Sequence, residues 1–154
     1  MRPFQLLVFD WDGTLMDSED RIVGSARGAM VDLGLQPRSD EAIRDIIGLG
    51  LREAMQVLYP ELPPESHAAL VERYRLHFLS EGGIPMPLFP GAHETLTALR
   101  REGYLLAVAT GKSRSGLERV LVHAGLAPLF AATRCADETR SKPHPQMLLE
   151  LMAT

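Results

Sequence analysis

The sequence predicts an α/β fold in which a helical unit is inserted after the first strand. Three observations support this. An apolar run ends abruptly in carboxylates at residues 6–12. No strand pattern interrupts residues 18–80. After a Pro/Gly-rich connector, strands and helices alternate to the end of the chain, which implies a parallel sheet with crossover helices.

Gln5–Phe9 is a continuous apolar stretch leading into Asp10-Trp11-Asp12-Gly13-Thr14, as expected of a strand buried on both faces. Helical character starts at Asp17, where Asp17 or Ser18 can cap. Glu19 and Asp20 suit the first turn, and Ile22, Ala26, Met30 and Leu33 recur at helical spacing. Gly34 can end this helix. Ser39 caps a second helix through about Ile47, and Gly48-Leu49-Gly50 breaks it. Leu51–Tyr59 and Glu65–Leu79 read as two more helices, separated by Pro60, Pro63 and Pro64.

Residues 81–91 form the connector, with Gly82, Gly83, Pro85, Pro87, Pro90 and Gly91 as punctuation. Then follow a helix over Ala92–Arg101, a strand over Tyr104–Ala109 and a helix over Ser113–Ala124. A strand over Leu129–Cys135 and a helix over Pro145–Ala153 complete the chain. The expected division is a core of residues 1–15 and 86–154 around a helical cap with its connector, residues 16–85.

The 154 residues are enough to bury a core, with 45% hydrophobic and 23% charged residues. A net charge of −4 leaves no electrostatic footprint for nucleic acid or an anionic membrane. No run reaches the ~18 apolar residues of a bilayer span. The single Cys135 cannot form an internal disulfide and fits a reducing cytoplasm, where it reads as a small buried hydrophobe.

Asp10 and Asp12 carry the chemistry. Two carboxylates one residue apart at the end of a buried strand repel and are poorly solvated unless something compensates them. A Mg²⁺ ion would do so. Taken alone, Asp12-Gly13 could be only a hairpin turn, but a helix start follows instead of a partner strand. Thr110 alone is a helix cap as readily as a ligand, and Lys142 alone is a surface lysine.

Together these residues resemble the haloacid dehalogenase-like hydrolases. Asp10-x-Asp12-Gly13-Thr14-Leu15 is similar to that family's first signature, Ala107-Val108-Ala109-Thr110 to its second, and Ser141-Lys142-Pro143 to its third. The order matches, and so does a small helical cap after the first signature, as in phosphoglycolate-phosphatase-like and phosphoglucomutase-like members. The resemblance implies a Rossmann-like core with Asp10 as nucleophile and Asp12 as general acid/base. It implies Mg²⁺ bound by Asp10 and the Asp12 carbonyl, and a phosphoryl group held by Gly13, Thr110, Gly111 and Lys142. The implied activity is hydrolysis of a small phosphorylated metabolite through an aspartyl-phosphate. A phosphomutase is the alternative within the family. A dehalogenase is disfavoured, because those members lack the second Asp.

Substrate choice is expected from the cap, with Gly48, Gly50 and Arg52 as candidates; a plain helix–helix turn with a surface Arg is the competing view. Trp11 reads as packing, Asp17 and Glu19 as helix-start charges, Lys112 as exposed, and the histidines at 67, 77, 93 and 123 as structural or surface groups. The family's fourth, acidic signature has no counterpart after Lys142, and Asp137 and Glu138 precede it. The sequence is therefore expected to lack the C-terminal strands of the family core. This leaves the sheet incomplete on one side, with the first strand as an open edge suited to self-association. A non-catalytic fragment or oligomerising module is the expectation from a different class.

Overall fold

A computed structural model describes residues 2–154. Its elements are β1 (Leu6–Phe9), α1 (Glu19–Asp32), α2 (Asp40–Asp45), α3 (Leu51–Leu58), α4 (Pro64–Phe78), α5 (Ala92–Arg101), β2 (Leu105–Thr110), α6 (Arg114–Ala124), β3 (Ala132–Cys135) and α7 (Gln146–Ala153). Leu129, where the third strand is expected to begin, instead ends a 3₁₀ turn over Ala127–Leu129, and β3 starts only at Ala132. Pro128 sits inside that turn, where its missing N–H is harmless.

The three strands are parallel in the order β1-β2-β3. Leu6 pairs with Leu105 and Phe9 with Val108, while Ala107 pairs with Ala132 and Thr110 with Cys135. Side chains of β2 alternate between faces, as a period of two requires. Leu106 and Val108 join Leu96, Leu117 and Leu121 in one buried cluster. Ala107 and Ala109 meet Met147 and Leu151 of α7 on the other side.

The strand buried on both faces is thus β2. The sequence had assigned that character to β1, but Gln5 lies outside the strand and Leu6–Phe9 are only half-buried. The reason is its place in the sheet. β1 pairs with β2 alone, so its other edge carries no strand among the described residues.

Residues 18–80 pack around a second apolar centre. Ile22, Ala26, Ala29 and Met30 of α1 meet Ile43, Met55, Leu58, Leu70 and Tyr74. Ser39 accepts the Ala42 N–H at 3.1 Å and so caps α2. Pro64 occupies the first turn of α4, where no intrahelical N–H is needed. The chain leaves and re-enters the sheet side by side. The Asp17 N–H donates to the Pro87 carbonyl at 2.8 Å, and the Phe89 N–H to the Leu15 carbonyl at 2.9 Å. These bonds fix where the helical unit emerges above the strand ends.

Candidate active site

Asp10 follows the last residue of β1, and Thr110 is the last residue of β2. In a parallel sheet, both therefore reach the crevice at the carboxyl ends of the strands, where ligands of α/β proteins bind. Lys142 arrives from the loop between β3 and α7. Its Nζ lies 2.9 Å from Asp10 Oδ1, which also accepts the Trp11 N–H at 2.8 Å. Asp10 and Thr110 thus line one cavity, and Lys142, outside its lining, joins them through its contact with Asp10.

Asp12 is held from two sides. Ser18 Oγ donates to Asp12 Oδ1 at 2.7 Å. Lys112 Nζ lies 3.4 Å from Oδ1 and 3.3 Å from Oδ2. Lys112 was expected to be exposed, yet only 9% of its side chain is. Buried lysines need a partner, and Asp12 supplies one. The ammonium also sits 4.9 Å from the ring centroid of Phe78, a cation–π contact with the helical unit. Ser18 is fully buried and makes no side-chain capping bond to α1, because its hydroxyl is committed to Asp12.

Thr110 is 1% exposed, and its Oγ1 accepts the Lys112 N–H at 3.1 Å. The hydroxyl proton has no acceptor among the described residues, so it can be given to a ligand. Gly111 shows why a side chain is absent there. A Cβ at this position would run into the Leu49 carbonyl and lie 2.6 Å from the Gly48 oxygen. The Gly48–Gly50 loop of the helical unit therefore rests directly on the end of β2. It also reaches the third segment, where the Gly50 N–H donates to Ser141 Oγ at 2.8 Å.

Three expectations change. The Gly13 N–H donates to the Met16 carbonyl at 2.9 Å, so it is spent within its own turn instead of facing a phosphoryl group. Gly13 has φ +76°, which explains the glycine by backbone conformation. Arg52 is exposed and does not line the cavity over Asp10. Gly50 acts through its amide on Ser141 and does not line the cavity itself. Asp137 and Glu138 are occupied elsewhere. Asp137 Oδ1 accepts the Arg114 N–H at 3.0 Å, and Glu138 pairs with the Arg114 guanidinium. That hydrogen bond from Arg114 holds the Glu138 carboxyl below its ordinary range.

The donor set suits a hard cation with few protein ligands. No group of three or more His, Cys, Asp or Glu side chains able to hold a metal occurs among the described residues. However, Mg²⁺ is held by one or two carboxylates together with water and substrate phosphate. Asp10 Oδ2 and the Asp12 carbonyl accept no hydrogen bond from the described residues, whereas Asp10 Oδ1 accepts two. An Asp10 oxygen and the Asp12 carbonyl, the ligands that the family resemblance implies, are thus free to accept a cation.

The cavity above Asp10 and Asp12 is about 530 Å³. Its lining includes Thr110, Gly111 and Lys112 from the sheet side, and Gly48, Leu49, Tyr74 and Phe78 from the helical unit. Sequence patterning gave no sign of Lys112, Ser18 or Tyr74 as site residues. The one available signal was that Lys112 stands two residues beyond the end of a strand.

A parallel sheet with a helical unit inserted after β1 and paired carboxylates at its end defines an α/β protein with its candidate site at the strand ends. A family model described as haloacid dehalogenase-like hydrolase matches residues 7–154. The chain belongs to this family. Over 157 residues it is 38% identical to the protein described as probable phosphatase IndB of Dickeya dadantii, covering 99% of this chain and 67% of that one. It is 34% identical to phosphoglycolate phosphatase of Agrobacterium fabrum, covering 86% and 58%. It is 31% identical to hexitol phosphatase B of Escherichia coli K12, covering 98% and 70%. The chain thus spans between 58% and 70% of the length of these three relatives. Among solved structures, one from Haemophilus somnus described as a predicted phosphoglycolate phosphatase superposes with a TM-score of 0.85 at 27% identity, over 99% of this chain and 72% of that one. No helix among the described residues is long and apolar enough to cross a membrane.

Proposed function

We propose that residues 1–15 and 86–154 form the core, and 16–85 the cap, of a Mg²⁺-dependent phosphatase that acts on a small phosphorylated metabolite in the cytoplasm. The observation that carries this is the meeting of Lys142 with Asp10, 132 positions apart, beside Asp12 and Thr110. The names of the relatives support the same activity.

An Asp10 carboxylate oxygen attacks phosphorus in line, forming an acyl-phosphate as the bond to the leaving oxygen breaks. Asp12 gives that oxygen a proton, then takes one from the water that hydrolyses the acyl-phosphate. One residue serves both half-reactions because the first leaves it ready for the second. Ser18 and Lys112 fix the Asp12 carboxyl in place for both transfers. The Thr110 hydroxyl, the Gly111 N–H and the Lys142 ammonium hold the phosphoryl oxygens, and fixed donors of this kind gain strength in a cleft from which water is excluded. Asp10 and the Asp12 carbonyl would hold Mg²⁺, which supplies positive charge against an anionic substrate.

The test is hydrolysis of p-nitrophenyl phosphate with Mg²⁺ by the chain and by its Asp10→Asn variant. Turnover lost in the variant is expected. Turnover retained by Asp10→Asn, or none in either protein, overturns the proposal for this chain. Product analysis with a phosphate monoester that carries one free hydroxyl separates hydrolysis from a mutase, which would return the phosphoryl group to that oxygen.

A further inference from the structure

The cavity above Asp10 changes character along its length. Its floor carries Asp10, Asp12, Thr110 and Lys112. Its roof is apolar, made by Ile22, Ile47, Leu49, Met55 and Phe78. Arg21 also lines it, but its guanidinium is spent on the backbone carbonyls of Phe78, Ser80 and Ile84. Arg75, Ser115, Arg119 and Asp137 are exposed, which places them at the rim.

One polar group belongs to the roof. Tyr74 is 7% exposed, and its hydroxyl has no hydrogen-bond partner among the described residues. Burial pushes its ionisation well up, and the Asp12 charge adds to this, so the hydroxyl is a neutral donor.

We propose that this site takes a phosphate monoester whose alcohol carries a compact apolar body, alkyl or aryl, with at most one acceptor for the Tyr74 hydroxyl. The inference rests on the phosphatase activity proposed above and specifies its substrate class. A polyol would bring several hydroxyls against side chains that cannot bond them, and each buried unpaired hydroxyl weakens binding. A short acid would place its carboxylate under an apolar roof where Arg21 is already engaged and Arg75 and Arg119 stand at the exposed rim. At about 530 Å³, the cavity is also of the size that encloses a drug-sized ligand.

The test is titration calorimetry of the chain, in Mg²⁺ buffer, with ethyl-, butyl- and hexylphosphonate and with carboxyethylphosphonate. These ligands share the anionic head and cannot be hydrolysed, so binding is read whether or not the chain turns over. The expected result is a Kd that falls about fourfold per methylene, with carboxyethylphosphonate weaker than butylphosphonate. Ile47→Asn should flatten the slope; should that variant fail to fold, as judged by circular dichroism, Leu49→Asn takes its place. A flat or rising Kd, tighter binding of the carboxylate, or no binding of any phosphonate overturns the substrate class. Loss of Asp10-dependent hydrolysis with the slope intact counts against the phosphatase proposal alone. A flat slope with hydrolysis intact counts against the substrate class alone.

Discussion

Gly111→Ala is the substitution whose effect can be worked most directly from the geometry. The new methyl would lie 2.6 Å from the Gly48 oxygen, against 3.4 Å for ordinary contact, so the loop must retreat by at least about 0.8 Å. If the loop moves as a unit, the 2.8 Å bond from the Gly50 N–H to Ser141 Oγ is stretched to its limit and lost. Losing that bond costs about 1 kcal/mol. Residual crowding against the backbone adds ~1 kcal/mol or more. The seated loop is thus disfavoured by about 2 kcal/mol, or roughly thirtyfold. Two measurements read this. Amide exchange at Gly50 should accelerate, and kcat/KM for p-nitrophenyl phosphate should fall by a similar factor. The melting temperature should fall by at most about 4–8 °C, since a chain of this size loses about 2–4 °C per kcal/mol and loop movement relieves part of the crowding. Ser141→Ala alone removes only the hydrogen bond and should cost less. Added to Gly111→Ala it should cost almost nothing, because the bond is already broken. Unchanged Gly50 exchange and unchanged kcat/KM in Gly111→Ala would refute the claim that the loop is seated on the strand end.

Lys112→Met leaves Asp12 with Ser18 as its only partner. Losing a charged hydrogen bond in a part-buried site costs about 1.5–3 kcal/mol, so kcat/KM should drop roughly ten- to hundredfold, with partial recovery in Lys112→Arg; an unchanged rate would show the pair to be incidental. The Cys135 thiol is fully buried and pushed up to about 12, chiefly by desolvation. Below pH 9 it is neutral in both folded and unfolded chains, but above that only the unfolded chain ionises, so stability falls as pH rises from about 9 toward 12. Urea unfolding across this range should show a steeper loss for wild type than for Cys135→Ala, and parallel curves would refute the assignment. If the unpaired edge of β1 recruits a second copy, sedimentation velocity should show association rising with concentration. Replacing Val8 with Pro on that strand should suppress it; a monomer at all concentrations would remove the edge as an interface.

How much of this was legible in the sequence depends on what each pattern reports. Apolar periodicity places helices well, since Ile22, Ala26 and Met30 all meet the inner face of the cap. It identified β1 as a strand yet misjudged its burial, because burial depends on neighbours in the sheet that the strand does not encode. Asp10, Thr110 and Lys142 could be grouped in advance through their resemblance to the family's ordered signatures; parallel strands account for Asp10 and Thr110 at one end of the sheet, while Lys142 comes from a loop. Lys112 could not. Its four-carbon stem could reach solvent or fold back, and only the positions of Asp12 and Phe78 decide between them. Arg52 beside two glycines was open to two readings, and its exposed position outside the cavity lining fits the surface-Arg one.

The Gly48–Gly50 loop touches both of the later segments that build the site. Its carbonyls press on Gly111, beside the Thr110 hydroxyl, and its amide binds Ser141, beside the Lys142 ammonium. The loop therefore borders two of the proposed phosphoryl-oxygen donors at once. Phe78, on a different cap helix, makes the corresponding contact to Lys112 and through it to Asp12. Each chemical group of the core is then next to a cap contact, either directly or through one residue. On the proposed function, the contacts that place these side chains also help to cover them, and donors in a covered site gain strength. This arrangement also assigns the cap two separable tasks. On the proposed function, Gly48–Gly50 would govern whether the site is assembled, and the apolar roof would govern what it accepts. Substitutions at Gly111 or Ser141 should then lower rates for all substrates alike, whereas substitutions at Ile47 or Met55 should change the ranking of substrates.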